Sequence, residues 1–156
     1  MTKAKIKVEI EGFEHITNRF DELGRGVQNK VMGPSLKAGA KIILKRTKDL
    51  APVGTKIKGN KKYKPGRLKK TLKVKKGKRS RRSISWYIQT GTRAKLGIDK
   101  DDKGYYPFSL EYGTQFIKAR PYMRPALTSA KSAALVKIAK TMDEKMTKIA
   151  EKGRKR

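Results

Sequence analysis

Fifteen basic side chains crowd into 27 consecutive positions: Lys56, Lys58, Lys61, Lys62, Lys64, Arg67, Lys69, Lys70, Lys73, Lys75, Lys76, Lys78, Arg79, Arg81 and Arg82. No acidic residue falls between Asp49 and Asp99. With no carboxylate nearby in sequence, such a block repels itself, and a polyanion would relieve it by releasing counterions. Lysine outnumbers arginine here, which favours contact with phosphates over reading of bases, because bidentate recognition of guanine uses arginine. The chemistry offered is therefore sequence-indifferent binding of nucleic acid, or docking on an acidic protein surface. Tyr63, Trp86 and Tyr87 supply rings that could stack on bases. Trp86, however, alternates with Ile84 and Ile88 and reads as core.

Catalytic chemistry is harder to assemble. The single histidine, His15, sits on the polar side of a helical pattern, and cysteine is absent, so neither a zinc site nor a thiol nucleophile can be built. Asp99-Lys100-Asp101-Asp102-Lys103-Gly104 has the outline of a calcium loop, but Lys103 and Leu110 stand where the fifth and twelfth positions need oxygen ligands. Gly54 to Lys61 has two glycines of a phosphate loop without its Gly-Lys-Ser/Thr ending. Asp99, Asp101 and Asp102 are the only clustered carboxylates a nuclease could use for metal. The reading is a protein without cofactor, metal or catalytic residue, and not an enzyme.

The chain of 156 residues carries 42 Lys and Arg against 13 Asp and Glu, a formal +29, and 36% of it is hydrophobic. That is enough apolar material for one independent domain. No apolar run approaches the ~20 residues of a membrane span, and no apolar signal-peptide core opens the chain. A soluble protein made in a cytoplasm, with no membrane partner, is expected.

The elements that must position these groups are legible in outline. Ile6, Val8 and Ile10 alternate with Lys5, Lys7 and Glu9 as in a half-buried strand. Phe13, Ile16, Phe20 and Leu23 recur as a short amphipathic helix. A second helix runs from about Val27 to Leu50 through Val31, Leu36, Ala40, Ile43, Leu44 and Thr47, kinked or restarted at Gly33-Pro34 and ended by Pro52. Gly54 to Gly66 reads as an exposed loop. Leu68, Leu72 and Val74, then Ile84, Trp86 and Ile88, read as two strands of an antiparallel hairpin joined by the basic turn. One or two helical turns follow near Tyr106 to Tyr112. Leu127, Ala130, Ala134, Leu135, Ile138, Met142, Met146 and Ile149 then mark a long final helix. The fold class is α+β: a small antiparallel sheet packed against two long helices, with a long basic loop and hairpin.

Two motifs remain. Tyr106-Pro107-Phe108-Ser109-Leu110-Glu111-Tyr112-Gly113-Thr114 is followed by Ala119-Arg120-Pro121-Tyr122-Met123-Arg124-Pro125-Ala126-Leu127. Together they resemble the tail-completion, or neck, family of long-tailed siphophages. Members of that family carry Glu-aromatic-Gly-Thr, then Ala-Arg-Pro-aromatic-hydrophobic-Arg-Pro-Ala, then a long C-terminal helix. Lys7-Val8-Glu9-Ile10-Glu11-Gly12-Phe13, Leu36 to Lys41, Leu50-Ala51-Pro52-Val53 and Gly66-Arg67-Leu68-Lys69-Lys70-Thr71-Leu72 stand in the family's order, so the similarity covers most of the chain. The lysine-rich insertion of Gly54 to Pro65 is a departure from it.

The resemblance implies a virion structural protein at the head–tail junction, synthesised in the host cytoplasm and assembled with itself into a ring, hexameric in that reading. It would complete the tail and touch head-closure and tail-terminator or tail-tube proteins, with packaged double-stranded DNA as a further partner. On this basis residues 1–151 form one tail-completion domain with the basic insertion at about 54–82, and 152–156 form a basic tail. The motif residues Glu111, Tyr112, Gly113, Thr114, Arg120, Pro121, Arg124 and Pro125 either pack the fold or form an interface. Arg120 and Arg124 have Glu111 or a neighbouring subunit as candidate partners. The alternative reading is a ribosomal-type, sequence-nonspecific RNA-binding protein, which charge alone would fit equally well.

Overall fold

A computed structural model describes residues 13–21, 25–54, 65–77, 84–96 and 106–154. The elements are α1 (Phe13–Asp21), α2 (Arg25–Leu50), α3 (Arg67–Thr71), β1 (Lys73–Lys76), β2 (Trp86–Gln89), α4 (Arg93–Leu96), α5 (Tyr106–Tyr112) and α6 (Met123–Arg154). The expected strand at Ile6–Ile10, the Gly54–Gly66 loop from Thr55 to Lys64, and the basic turn at Lys78–Arg82 lie outside the described residues.

The fold is α+β, with α2 and α6 packed along one another beside a two-stranded antiparallel sheet. What lets the two long helices meet is the smallness of their facing side chains. Val31, Ser35, Gly39 and Thr47 form a buried line on α2 at spacings of four and eight. Ala126, Ala130 and Ala134 form its counterpart on α6. At Gly39 a Cβ would lie 2.6 Å from Ile138 Cδ1 and 3.1 Å from the Ala134 carbonyl oxygen, so the backbones approach where only hydrogen fits. The two buried hydroxyls bond within their own helix, Ser35 Oγ donating to the Val31 carbonyl and Thr47 Oγ1 to the Ile43 carbonyl, each at 2.8 Å. Neither is left unsatisfied in the core.

The expected break at Gly33-Pro34 does not divide α2, which is continuous from Arg25 to Leu50. Pro34 is exposed, while Val31 and Ser35 on either side are buried. The ring therefore points away from α6, and burial along the other face offsets the roughly 3 kcal/mol that an interior proline costs. The expected stop at Pro52 agrees with a helix ending at Leu50.

Two further expectations need correction. Leu68 is not on a strand: α3 begins after Gly66, whose φ of 74° turns the chain, and Lys70 N–H donates to the Gly66 carbonyl at 3.1 Å. A spacing of four between Leu68 and Leu72 satisfies both periods, and the strand starts only at Lys73. Leu127 is 53% exposed rather than part of the α6 stripe, because Ala126 occupies the inward position four residues before Ala130.

Two apolar clusters result. Ala51, Leu68, Leu72, Leu96, Leu110 and Tyr122 form one, joining α3, α4, α5 and the start of α6. Val31, Met142 and Met146 form the other, with Ile16 of α1 packed against them. Arg19 of α1 also reaches Asp143 of α6 at 2.8 Å. α6 runs on to Arg154, past the expected boundary of the domain at 151. Among the described residues no helix is long and apolar enough to cross a membrane.

Candidate interaction site

The hairpin sorts its side chains by face. Lys73 pairs with Gln89, Val74 with Ile88, Lys75 with Tyr87, and Lys76 with Trp86. Directly opposed residues share a face, so Val74, Ile88, Trp86 and, at the open end, Lys76 lie on one side and Lys73, Lys75, Tyr87 and Gln89 on the other. Ile88 packs against the first cluster. Trp86, expected in the core, lies on this same side but is half-buried. Tyr87 is 55% exposed and remains available.

Of the fifteen basic residues, six are described. Lys69, Lys70, Lys73, Lys75 and Lys76 are exposed and Arg67 is half-buried. Lys56, Lys58, Lys61, Lys62, Lys64, Lys78, Arg79, Arg81 and Arg82 lie outside the described residues, as does Tyr63. The six are not alone. Lys37, Lys41 and Lys45 of α2 are also exposed, at successive spacings of four, and Lys37 Nζ sits 5.4 Å from the centre of the Trp86 ring. That cation–π contact sets the lysine line of α2 beside the hairpin. The four-residue spacing of Lys37, Lys41 and Lys45 is the signal for this line in the sequence, where the denser block at 56–82 dominates the charge pattern.

The motif pair closes into one unit. Glu111, at the end of α5, is 4% exposed, and its Oε2 accepts the backbone N–H groups of Tyr122 at 2.8 Å and Met123 at 2.9 Å. Its Oε1 accepts the backbone N–H of Arg124 at 3.0 Å and its Nε at 3.2 Å, and Arg124 Nη2 donates back to the Glu111 carbonyl at 3.0 Å. A helix leaves its first four N–H groups without internal partners. In α6 these belong to Tyr122, Met123, Arg124 and Pro125. One carboxylate takes the first three, and the fourth does not exist because proline has no N–H. Negative charge at this end of the helix also suits its dipole. Burial pushes the Glu111 pKa up, but the N–H groups of Met123, Tyr122 and Arg124 and the Arg124 guanidinium together hold it below the ordinary value.

The remaining motif residues support this junction. The Tyr112 ring lies 4.8 Å from the Arg124 guanidinium carbon and 4.6 Å, centre to centre, from Phe108. Gly113 ends α5 at φ 78°, its N–H bonded to the Ser109 carbonyl at 2.8 Å. A Cβ there would stand 3.0 Å from both Ala119 N and the Ile117 carbonyl, so glycine is required on two grounds. Thr114 and Ile117 exchange backbone hydrogen bonds at 2.9 and 3.3 Å, and Thr114 Oγ1 accepts the N–H groups of Phe116 and Ile117. Arg120 N–H donates to the Leu110 carbonyl at 2.7 Å while its side chain is exposed, as is Pro121. Of the two arginines considered for Glu111, the structure pairs Arg124 with it.

No three His, Cys, Asp or Glu side chains converge among the described residues, and His15 is exposed on α1. The Asp99–Gly104 turn and the Thr55–Lys61 stretch lie outside them. No protein-family model, curated protein or solved structure matches the chain.

Proposed function

We propose that this protein is a structural component of a phage neck. In this reading it assembles with itself into a hexameric ring, completes the tail and joins it to the head, without catalytic chemistry. The observation that carries the reading is the Glu111–Arg124 junction. Two sequence motifs, shared by resemblance with the tail-completion family and separated by an exposed loop, bond to each other through every available N–H at the start of α6. The exposed lysines of α2, α3 and β1 then supply positive charge for packaged DNA or for an acidic neighbouring ring. The site of action is the head–tail junction of the virion.

The same lysines favour a second reading, a ribosomal-type RNA-binding protein that grips phosphates without regard to sequence. Quantitative mass spectrometry of complete phage, free tails and ribosomes from a producing culture separates the two. A handful of copies per particle is expected in tails or complete phage. Enrichment in ribosomes, with none in particles, would replace the neck reading with the RNA-binding one.

A further inference from the structure

The loop between the two motifs carries a feature that neither motif explains. Phe116 is 87% exposed and Ile117 45% exposed, yet both sit on a turn fixed by the paired backbone bonds of Thr114 and Ile117 and by the Thr114 hydroxyl. Gly113 holds the base of that turn in a conformation other residues resist. An aromatic side chain this exposed, on a turn this constrained, is a knob whose ordering cost is largely met before any partner arrives. Exposed Lys118 and Arg120 flank it, and no acidic residue occurs from Tyr112 through Met142.

We infer that Phe116 is the anchor of a protein-docking surface, and that its partner presents an apolar pocket rimmed by carboxylates. Charge complementarity selects the rim. A second copy of this chain, formally +29, is a poor source of it. Duplex nucleic acid is a poor source of the pocket, because its bases are already stacked and paired. Among the described residues near it, the exposed rings of Tyr112 and Phe108 lie against each other, and Tyr112 also against the Arg124 guanidinium. The inference rests on the neck reading and names the chemistry of one neighbour within it.

The test uses heads and tails purified from a culture that lacks this chain, each mixed with the full-length protein. The wild-type protein should bind one of the two fractions. Phe116→Ala should weaken that binding roughly tenfold or more, as loss of an aromatic anchor does, with an unchanged melting temperature. Phe116→Leu should retain most of it. Lys118→Glu combined with Arg120→Glu should slow association and flatten its dependence on salt. A photo-crosslinking phenylalanine analogue in place of Phe116 should label an acidic protein of that fraction at an apolar site. If the wild-type protein binds but Phe116→Ala binds as well, the anchor is wrong and the neck reading stands. Crosslinks to DNA or to a second copy of the chain overturn the partner class. If the wild-type protein binds neither fraction, the neck reading fails and this inference falls with it.

Discussion

Glu111 and Arg124 hold each other through both side chain and main chain. Arg124 gives its backbone N–H and its Nε to one carboxylate oxygen of Glu111, and its Nη2 to the Glu111 carbonyl. The second carboxylate oxygen is occupied by Tyr122 and Met123. Thus the end of α5 and the start of α6 form a single hydrogen-bonded joint, with the Tyr122 ring buried beside it in the first apolar cluster.

Glu111→Gln tests that joint. The amide keeps one acceptor oxygen, loses the charge, and turns an NH2 group toward backbone donors. Destabilisation of about 2–3 kcal/mol is expected from the buried groups left unmatched, measured by denaturant unfolding at neutral pH.

The pH dependence follows from the same group. Its pKa is lower folded than unfolded, so the unfolded state binds the proton more readily. The stabilisation is therefore complete above the ordinary glutamate range, near pH ~4.3, and is lost as pH falls through the lower folded value. In Glu111→Gln this part of the acid-side decline should vanish, so wild type and variant should converge in stability at low pH.

Gly113→Ala should cost about 1–2 kcal/mol for the left-handed backbone alone, with more from the 3.0 Å approaches to Ala119 N and the Ile117 carbonyl. A thermal melt reads the loss. A variant as stable as the wild type would contradict the cap geometry.

Gly39→Ala places a methyl group against Ile138 and the Ala134 carbonyl. Overpacking of this kind costs about 1–3 kcal/mol, and unfolding of the variant should show it, whereas the same change at exposed Gly26 of α2, where a Cβ meets nothing within 4 Å, should be neutral or slightly stabilising.

Arg120 and Arg124 should behave differently although the motif repeats them. Arg124→Ala removes two side-chain hydrogen bonds and the contact with Tyr112, and should lower stability by about 1–2 kcal/mol. Arg120→Ala removes an exposed side chain and should stay within about 0.5 kcal/mol of wild type. If Arg120 serves an interface, only its variant will combine normal stability with impaired attachment to particles. Normal virion assembly with Arg120→Ala would exclude that role.

The lysine line of α2 makes a quantitative prediction for duplex DNA. Each phosphate contact removed should reduce the magnitude of the log K against log salt slope by about 0.9. Lys37→Gln, Lys41→Gln and Lys45→Gln together should flatten it measurably, with little dependence on DNA sequence. No binding by the wild-type protein at low salt would leave an acidic protein as the partner of this face.

Much of this architecture was legible in the chain, and the misses share a cause. The hairpin followed from strict alternation at Ile84, Trp86 and Ile88, and the end of α2 from Pro52. The contact face of α2 followed only in part: Val31 and Thr47 fall on the expected stripe and are buried, whereas Ser35 and Gly39 look polar or neutral in a hydrophobic pattern and become core only through proximity to small residues on α6. Leu68 was ambiguous because a spacing of four fits either period. At the motif pair, sequence offered Arg120 and Arg124 equally as partners of Glu111. Only the direction of the helix start separates them, since Arg124 lies within its first turn and Arg120 before it.

Pro125 has a wider consequence. By removing the fourth donor it leaves α6 with a start whose every need is met by one residue on a preceding helix. An isolated peptide spanning Tyr122 to Arg154 would carry no such carboxylate, and its first turn would face water. The first turn of the longest described helix is thus made conditional on a seven-residue helix that precedes it. Docking of α5 and initiation of α6 become one cooperative event, and a lesion in the shorter helix should unwind the longer one from its N-terminal end.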